Sequence, residues 1–167
     1  FLYEGESVML FCEVIPKSLP VLKHACNADF RAYRNFFPNH YSYNILEFCI
    51  CQEGRIVRSF PSGVTEIIYP GTLMSIFKDD VFDSYAFQNE RQRHITIGIA
   101  MDYEIKHWDS DHTIALEAIK KRVMENGHIL VPRLFTLGEQ LDEFTHMMQK
   151  LIYSYASGTA AYKTQAL

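Results

Sequence analysis

A carboxylate in the middle of an apolar run is the first residue whose position suggests chemistry. Residues 45–51 read Ile-Leu-Glu-Phe-Cys-Ile-Cys, with Glu47 as the single charged residue. An apolar run of this length before a polar turn at Gly54 predicts a buried β-strand. A buried carboxylate must be paired, protonated or bound to a ligand, because an isolated charge is strongly disfavoured in an apolar interior. Glu47 is therefore our first candidate for a functional residue.

Residues close to Glu47 in sequence indicate what such a site could contain. Alternation along the expected strand places Ile45, Cys49 and Cys51 on the face that carries Glu47. A carboxylate there would accept hydrogen bonds from a hydroxyl or an amine of a small molecule. The candidate binding residues are Arg34, His40, Ser42, Glu47 and Cys49. For two of these residues a simpler interpretation needs no ligand. Arg34 would be the ion partner of Glu47, and His40 would be a histidine at the end of a loop without a role in binding.

The four cysteines indicate a reducing compartment rather than a metal or redox centre. They lie at positions 12, 26, 49 and 51, without a CxxC motif or a Cys/His cluster around them. Residues two apart on a strand rarely form an unstrained disulfide. We therefore expect small, reduced, buried side chains and a cytoplasmic protein, with no metal and no cofactor.

Composition excludes several classes of protein. Apolar residues make up 48% of the 167 residues, which is enough for a hydrophobic core, and the net charge is −4. This acidic balance argues against a nucleic-acid-binding surface, which needs clustered Lys and Arg. No apolar segment reaches the ~18 residues of a membrane span, and no signal peptide is visible. Because the first residue is Phe1, we expect this chain to be a piece of a longer protein.

Closely spaced turn residues predict a mainly β first part. Phe60-Pro61-Ser62-Gly63 and Pro70-Gly71 separate apolar runs at 45–51, 64–69 and 73–77, and further strands are expected at 8–12, 29–37, 82–87 and 94–102. Roughly eight or nine short strands in about 100 residues are typical of a sandwich or a small barrel.

The periodicity becomes helical after Trp108. Asp109 or Ser110 is a plausible N-cap for a first helix, and Asn126-Gly127 would end it. Thr136-Leu137-Gly138-Glu139 has the form of a capping box for a second helix. Its apolar residues follow a heptad pattern, which favours pairing with a second subunit, although packing on the β part is the simpler alternative. These residues are Leu137, Leu141, Phe144, Met148, Leu151 and Tyr155.

Two stretches carry a resemblance to a known family. His40, Ser42, Glu47 and Gly54 reproduce the spacing of the first cupin motif, with Ser42 in place of its second histidine. No histidine lies between His40 and His94, so the ligand set of a metal-dependent cupin is incomplete. The segment from Leu46 to Arg55, followed by Pro70-Gly71-Thr72-Leu73-Met74-Ser75-Ile76, resembles the N-terminal effector-binding and dimerisation domain of AraC-type transcriptional regulators.

The resemblance implies a degenerate, cupin-like antiparallel β-barrel (a double-stranded β-helix or jelly roll) at residues 1–108. A two-helix dimerisation segment would follow at 109–158, and residues 159–167 would begin a linker to a DNA-binding domain outside this chain. The implied function is to sense a small-molecule effector as a homodimer, without enzymatic activity and with DNA contacted only through the other domain. The alternatives are a metal-dependent cupin enzyme (an isomerase or a dioxygenase) and a stand-alone metabolite-binding cupin.

Overall fold

The computed structural model describes residues 11–31, 34–37, 44–108 and 116–158, and only the backbone at 35–37, 116–119 and 122. These residues form β1 (Phe11–Pro16), β2 (Val21–Phe30), β3 (Arg34–Phe37), β4 (Ile45–Glu53), β5 (Ile56–Ser59), β6 (Thr65–Ile68), β7 (Thr72–Phe77), β8 (Phe82–Ala86), β9 (Gln92–Ala100), β10 (Tyr103–Trp108), α1 (Leu116–Glu125), β11 (Ile129–Pro132), β12 (Leu134–Thr136) and α2 (Leu141–Ala156). The prediction of a mainly β chain with a C-terminal helix is confirmed.

The strands form three antiparallel sheets. The central sheet has the order β12-β7-β4-β9-β2, the facing sheet the order β3-β8-β5-β6, and the third sheet the order β10-β1-β11. Among the described residues these sheets stay open and do not close into the expected barrel. No helix in the same part of the chain is long and apolar enough to cross a membrane.

Strand β4 lies in the middle of the central sheet and is buried on both faces. Its alternating residues therefore face two different apolar clusters. Cys49 and Cys51 point to the facing sheet and form one cluster with Met74 and Ile76 of β7 and with Ile56, Ile68 and Phe82 of the facing sheet. Ile50 and Phe48 point the opposite way, toward α2. This double burial explains why the sequence of β4 is almost continuously apolar.

Helix α2 covers the outer face of the central sheet. Leu137 and Met148 are buried there among Leu22, Ala25, Ile50, Leu73, Ile95 and Ile97. The other heptad residues, Leu141, Phe144, Leu151 and Tyr155, pack against the same cluster while staying partly exposed. The heptad stripe thus packs on the β part of its own chain. The predicted dimer is not tested by this arrangement and stays a prediction.

The element order after Trp108 differs from our expectation of two consecutive helices. Strands β11 and β12 lie between α1 and α2 and return the chain to the third and central sheets. Thr136 pairs with Thr72 as the last residue of β12, and α2 begins at Leu141 after a 3₁₀ turn (Gly138–Gln140) without a side-chain cap. The capping-box prediction is therefore wrong, because Thr136 belongs to a sheet ladder.

The end of α1 agrees with the prediction that Asn126-Gly127 terminates the first helix. Gly127 has a φ of 68°, its N–H bonds to the carbonyl of Met124, and the N–H of His128 bonds to the carbonyl of Val123. This is the Schellman arrangement that Asn126-Gly127 predicts. The predicted N-caps Asp109 and Ser110 lie outside the described residues.

A second buried carboxylate, Glu13, lies on β1 and is 1% exposed. His128 Nδ1 is 2.6 Å from its Oε1 atom. Burial disfavours the carboxylate, but His128, Lys106 and Trp108 favour it and hold the pKa of Glu13 below its usual value. Trp108, at the end of β10, is therefore part of the environment of Glu13.

Adjacent methionines on α2 test whether the helix belongs to the core. Met148 is 3% exposed and Met147 is 49% exposed. We expect Met148→Ala to lower the free energy of unfolding by about 2–5 kcal/mol, because it leaves a cavity between helix and sheet. Met147→Ala should change it by less than about 0.5 kcal/mol. Urea denaturation followed by circular dichroism compares them, and equal effects would mean that α2 is not seated on the sheet.

Candidate functional site

The candidate site lies on the inner face of the central sheet, where three strands bring polar residues into register. Along β2, β9 and β4, His24 lies opposite Gly98 and Gly98 opposite Glu47. In the next row on this face, Cys26 lies opposite Thr96 and Thr96 opposite Cys49. Neighbouring residues in register share a face, so these side chains form one cluster. We call His24, Cys26, Glu47, Cys49, His94 and Thr96 the inner polar cluster.

Glu47 is at the centre of this cluster and is 7% exposed. Thr96 Oγ1 donates a hydrogen bond of 2.8 Å to Glu47 Oε1. The other oxygen, Oε2, lies 3.4 Å from His24 Nε2. Both oxygens of the buried carboxylate thus face polar groups on neighbouring strands. A carboxylate accepts several hydrogen bonds at once, so Glu47 is a suitable acceptor for a hydroxyl or an amine of a bound molecule.

Gly98 makes the contact between His24 and Glu47 possible. The two residues stand on strands that are separated by β9, so the imidazole must cross above the residue between them. A Cβ atom at position 98 would lie 2.0 Å from Cε1 of His24. Only glycine leaves enough room for the ring at this point. The residue types at positions 24, 47 and 98 thus depend on one another.

The inner polar cluster is accessible from the β2 edge of the central sheet. The side chain of His24 is 27% exposed, and Cys26 is exposed. Moving inward, Thr96 and Glu47 are buried. A molecule at this edge would contact His24 first, and the imidazole of His24 is itself in contact with the carboxylate. The arrangement suits a ligand that carries a hydroxyl or an amine.

The cysteines of the cluster are unsuited to nucleophilic chemistry. Burial and then the charge of Glu47 raise the pKa of Cys49 well above its usual value and raise that of Cys26. Burial also raises the pKa of Cys51 to about 11, and its thiol donates a hydrogen bond to the carbonyl of Gly54. Since the thiolate is the nucleophile and the metal ligand, all three residues are expected to be inert thiols at neutral pH.

The structure separates Arg34 from the site. Arg34 lies opposite Tyr85 on the outer face of the facing sheet, is exposed, and pairs with Asp83 at 2.6 Å. The hypothesis that Arg34 is the ion partner of Glu47 is therefore wrong, and its predicted role in binding an effector stays a prediction. Cys49 does share the face of Glu47. His40 and Ser42 lie outside the described residues.

Sequence reasoning missed His24, Thr96 and His94. Along β9, the alternating residues Ile95, Ile97 and Ile99 have side chains that face α2. The same alternation puts His94 and Thr96 on the opposite, inner face, and that signal was available. The role of His24 was harder to find, because β2 reads as an irregular, mostly exposed strand.

The described residues contain no group of three His, Cys, Asp or Glu side chains that could hold a metal ion. A mononuclear metal site needs three or four donors.

A double-mutant cycle tests the row formed by His24, Gly98 and Glu47. Gly98→Ala should destabilise the protein, because the new methyl group displaces the imidazole. In a His24→Ala background the same change should cost less, with a coupling of about 0.5–3 kcal/mol in unfolding free energy. Additive effects in chemical denaturation would show that the methyl group meets something other than His24.

The pH dependence of stability tests the burial of His94, which is 7% exposed. Burial lowers the pKa of His94, while Glu47 acts in the opposite direction. In the unfolded chain His94 therefore takes up a proton near its usual pKa of about 6.5, whereas in the folded chain it does so only at a lower pH. The free energy of unfolding should fall as the pH drops below about 6.5. His94→Gln should reduce this loss between about pH 7 and pH 5, measured by thermal unfolding. His146→Gln, an exposed position on α2, is the control and should leave it unchanged.

Comparison with known proteins leaves the function to be argued from this geometry. No protein-family model matches the chain, and no curated protein matches it. The inner polar cluster and the mainly β architecture around it are therefore the observations from which a function can be inferred.

Proposed function

We propose that this chain is a ligand-sensing domain that binds a small organic molecule through Glu47. The observation that carries the proposal is a buried carboxylate that lies in a row of polar residues, and this row opens to solvent at His24. A carboxylate with no function at this position would be costly, since apolar residues of similar volume usually serve a core equally well. Its retention is best explained by a ligand that donates hydrogen bonds to it.

The finer proposal is a degenerate, cupin-like jelly roll that senses an effector for an AraC-type transcriptional regulator. Its support is the resemblance of residues 46–55 and 70–76, together with an antiparallel β part that precedes a C-terminal helix. Under this proposal the domain acts in the cytoplasm as a homodimer, and DNA is contacted by a domain outside this chain. A stand-alone metabolite-binding cupin would use the same site.

A metal-dependent cupin enzyme has less support. It would need three or four ligands around one point, and the described residues provide no such group. The thiols that could replace a histidine are held protonated by burial and by Glu47. A ligand-binding function requires neither a metal nor a nucleophile.

A thermal-shift screen tests the proposal with polyols, sugars and primary amines. A compound that binds only the folded chain should stabilise it by about 2.7 kcal/mol at a hundredfold excess over its dissociation constant. In Glu47→Gln the affinity should fall about tenfold or more, because a hydrogen bond to a charged group contributes about 1.5–3 kcal/mol.

Glu53→Gln is the matched control, since Glu53 is on the same strand but its side chain is 46% exposed and pairs with Arg93. It should bind like the unmodified chain. Equal weakening in both variants, or no stabilisation by any compound, would contradict the proposed role of Glu47.

A further inference from the structure

A fully buried arginine lies on the sheet that faces the inner polar cluster. Arg58, on β5, is 0% exposed, and its Nε and Nη2 atoms donate to Glu66 Oε2 at 3.0 and 2.5 Å. Its guanidinium carbon lies 5.6 Å from the ring centroid of Phe60 and 5.2 Å from that of Phe82. The partner carboxylate is 30% exposed, so the cation is buried more deeply than the anion that pairs with it.

One donor of this guanidinium is not used. Nη1 is buried and has no hydrogen-bond partner among the described residues. Nε and Nη2 form the edge that Glu66 occupies, and Nη1 is at the other side of the planar group. Buried polar groups are nearly always hydrogen-bonded, so an unused charged donor needs an explanation.

Ser84 provides a second unused group beside it. Ser84 is directly opposite Arg58 in the ladder between β5 and β8, so the two side chains share the inner face of the facing sheet. Ser84 is 1% exposed, and its Oγ likewise has no hydrogen-bond partner within the described part of the chain. Two neighbouring donors, one of them charged, thus lack an acceptor in the same region of the interior.

Both sheets contribute to the environment of this region. Cys49, on the same face of β4 as Glu47, belongs to one buried apolar cluster with Phe82 of the facing sheet. The guanidinium carbon of Arg58 lies 5.2 Å from the ring centroid of Phe82, so the carboxylate and the guanidinium border the same interior. A molecule in this interior would meet an acceptor on one sheet and donors on the other.

We infer that Arg58 Nη1 and Ser84 Oγ form an anion subsite that binds a carboxylate group. The inference rests on the proposed function, because it treats the interior between the two sheets as the ligand site. It narrows the ligand to an organic acid that also carries a hydroxyl or an amine for Glu47. A carboxylate suits the subsite because its planar oxygens match a guanidinium and a hydroxyl donor, and because Glu66 already balances part of the arginine charge.

Acetate and acetamide provide a matched pair of probes, since they have nearly the same shape and differ in charge. Melting temperatures of the chain are measured against increasing sodium acetate, acetamide, and sodium chloride at the same ionic strength. We expect acetate to raise the melting temperature with a saturating dependence, and acetamide and chloride to leave it unchanged. Equal shifts with acetate and with either control would overturn the inference.

Ser84→Ala tests the subsite without disturbing the arginine. The hydroxyl has no hydrogen-bond partner in the described structure, so its removal should not lower the melting temperature in plain buffer. The affinity for acetate should fall about tenfold, as expected for loss of a hydrogen bond to a charged group. Unchanged acetate binding in this variant would overturn the inference.

Ser75→Ala is the control variant. Ser75 is 0% exposed, and its Oγ also has no hydrogen-bond partner among the described residues, but it lies opposite Phe48 on the α2 side of the central sheet. It should bind acetate like the unmodified chain, and equal weakening in both variants would contradict the assigned position. If acetate still binds to the Glu47→Gln variant and no hydroxylated or amino compound binds to the unmodified chain, the anion subsite is supported and the proposed role of Glu47 is rejected.

Discussion

The burial of β4 on both faces is the constraint on which the rest of the structure depends. A strand in the middle of a five-stranded sheet, apolar on both sides, needs two covering layers. Helix α2 provides one layer and the facing sheet the other. Because Glu47 is part of this strand, its carboxylate can obtain polar partners only from neighbouring strands. Thr96 on β9 and His24 on β2 provide them, and Gly98 leaves the room that the second contact requires.

The buried charges are more readily explained by function than by stability. Removing a carboxylate or a guanidinium from water costs several kcal/mol, and a buried ion pair often only recovers this cost. Glu47 on the central sheet and Arg58 on the facing sheet each have a partner, and Nη1 of Arg58 also lacks a hydrogen-bond partner among the described residues. A fold selected only for stability would place apolar side chains at both positions. Their position on opposite sheets is the arrangement that a ligand with complementary groups at two ends would require.

Local signals in the sequence predicted the elements that depend on nearby residues. The strand containing Glu47, the turns at Gly54, Gly63 and Gly71, and the end of α1 at Gly127 all follow from short patterns. Strands β2, β10, β11 and β12 were not predicted, because they are partly exposed and pair with residues far away in sequence, such as Cys12 with His107. Arg34 was expected beside Glu47 because the two residues are close in sequence. Closeness in sequence to Glu47 does not determine which sheet, or which face, a side chain joins.

The heptad stripe is another pattern that does not determine which surface its side chains contact. It also suggests how the site could act on the rest of the protein. Spacings of four and three residues define one apolar stripe on a helix, and a sheet can cover that stripe as well as a second helix can. Here the stripe covers Ile50, with Phe48 packed beside it, and these residues alternate along β4 with Glu47 and Cys49. Only the backbone of one strand separates the inner polar cluster from α2. A ligand that shifted β4 would therefore move the residues on which the helix is seated, provided that it bound the two positions of β4 with different affinities.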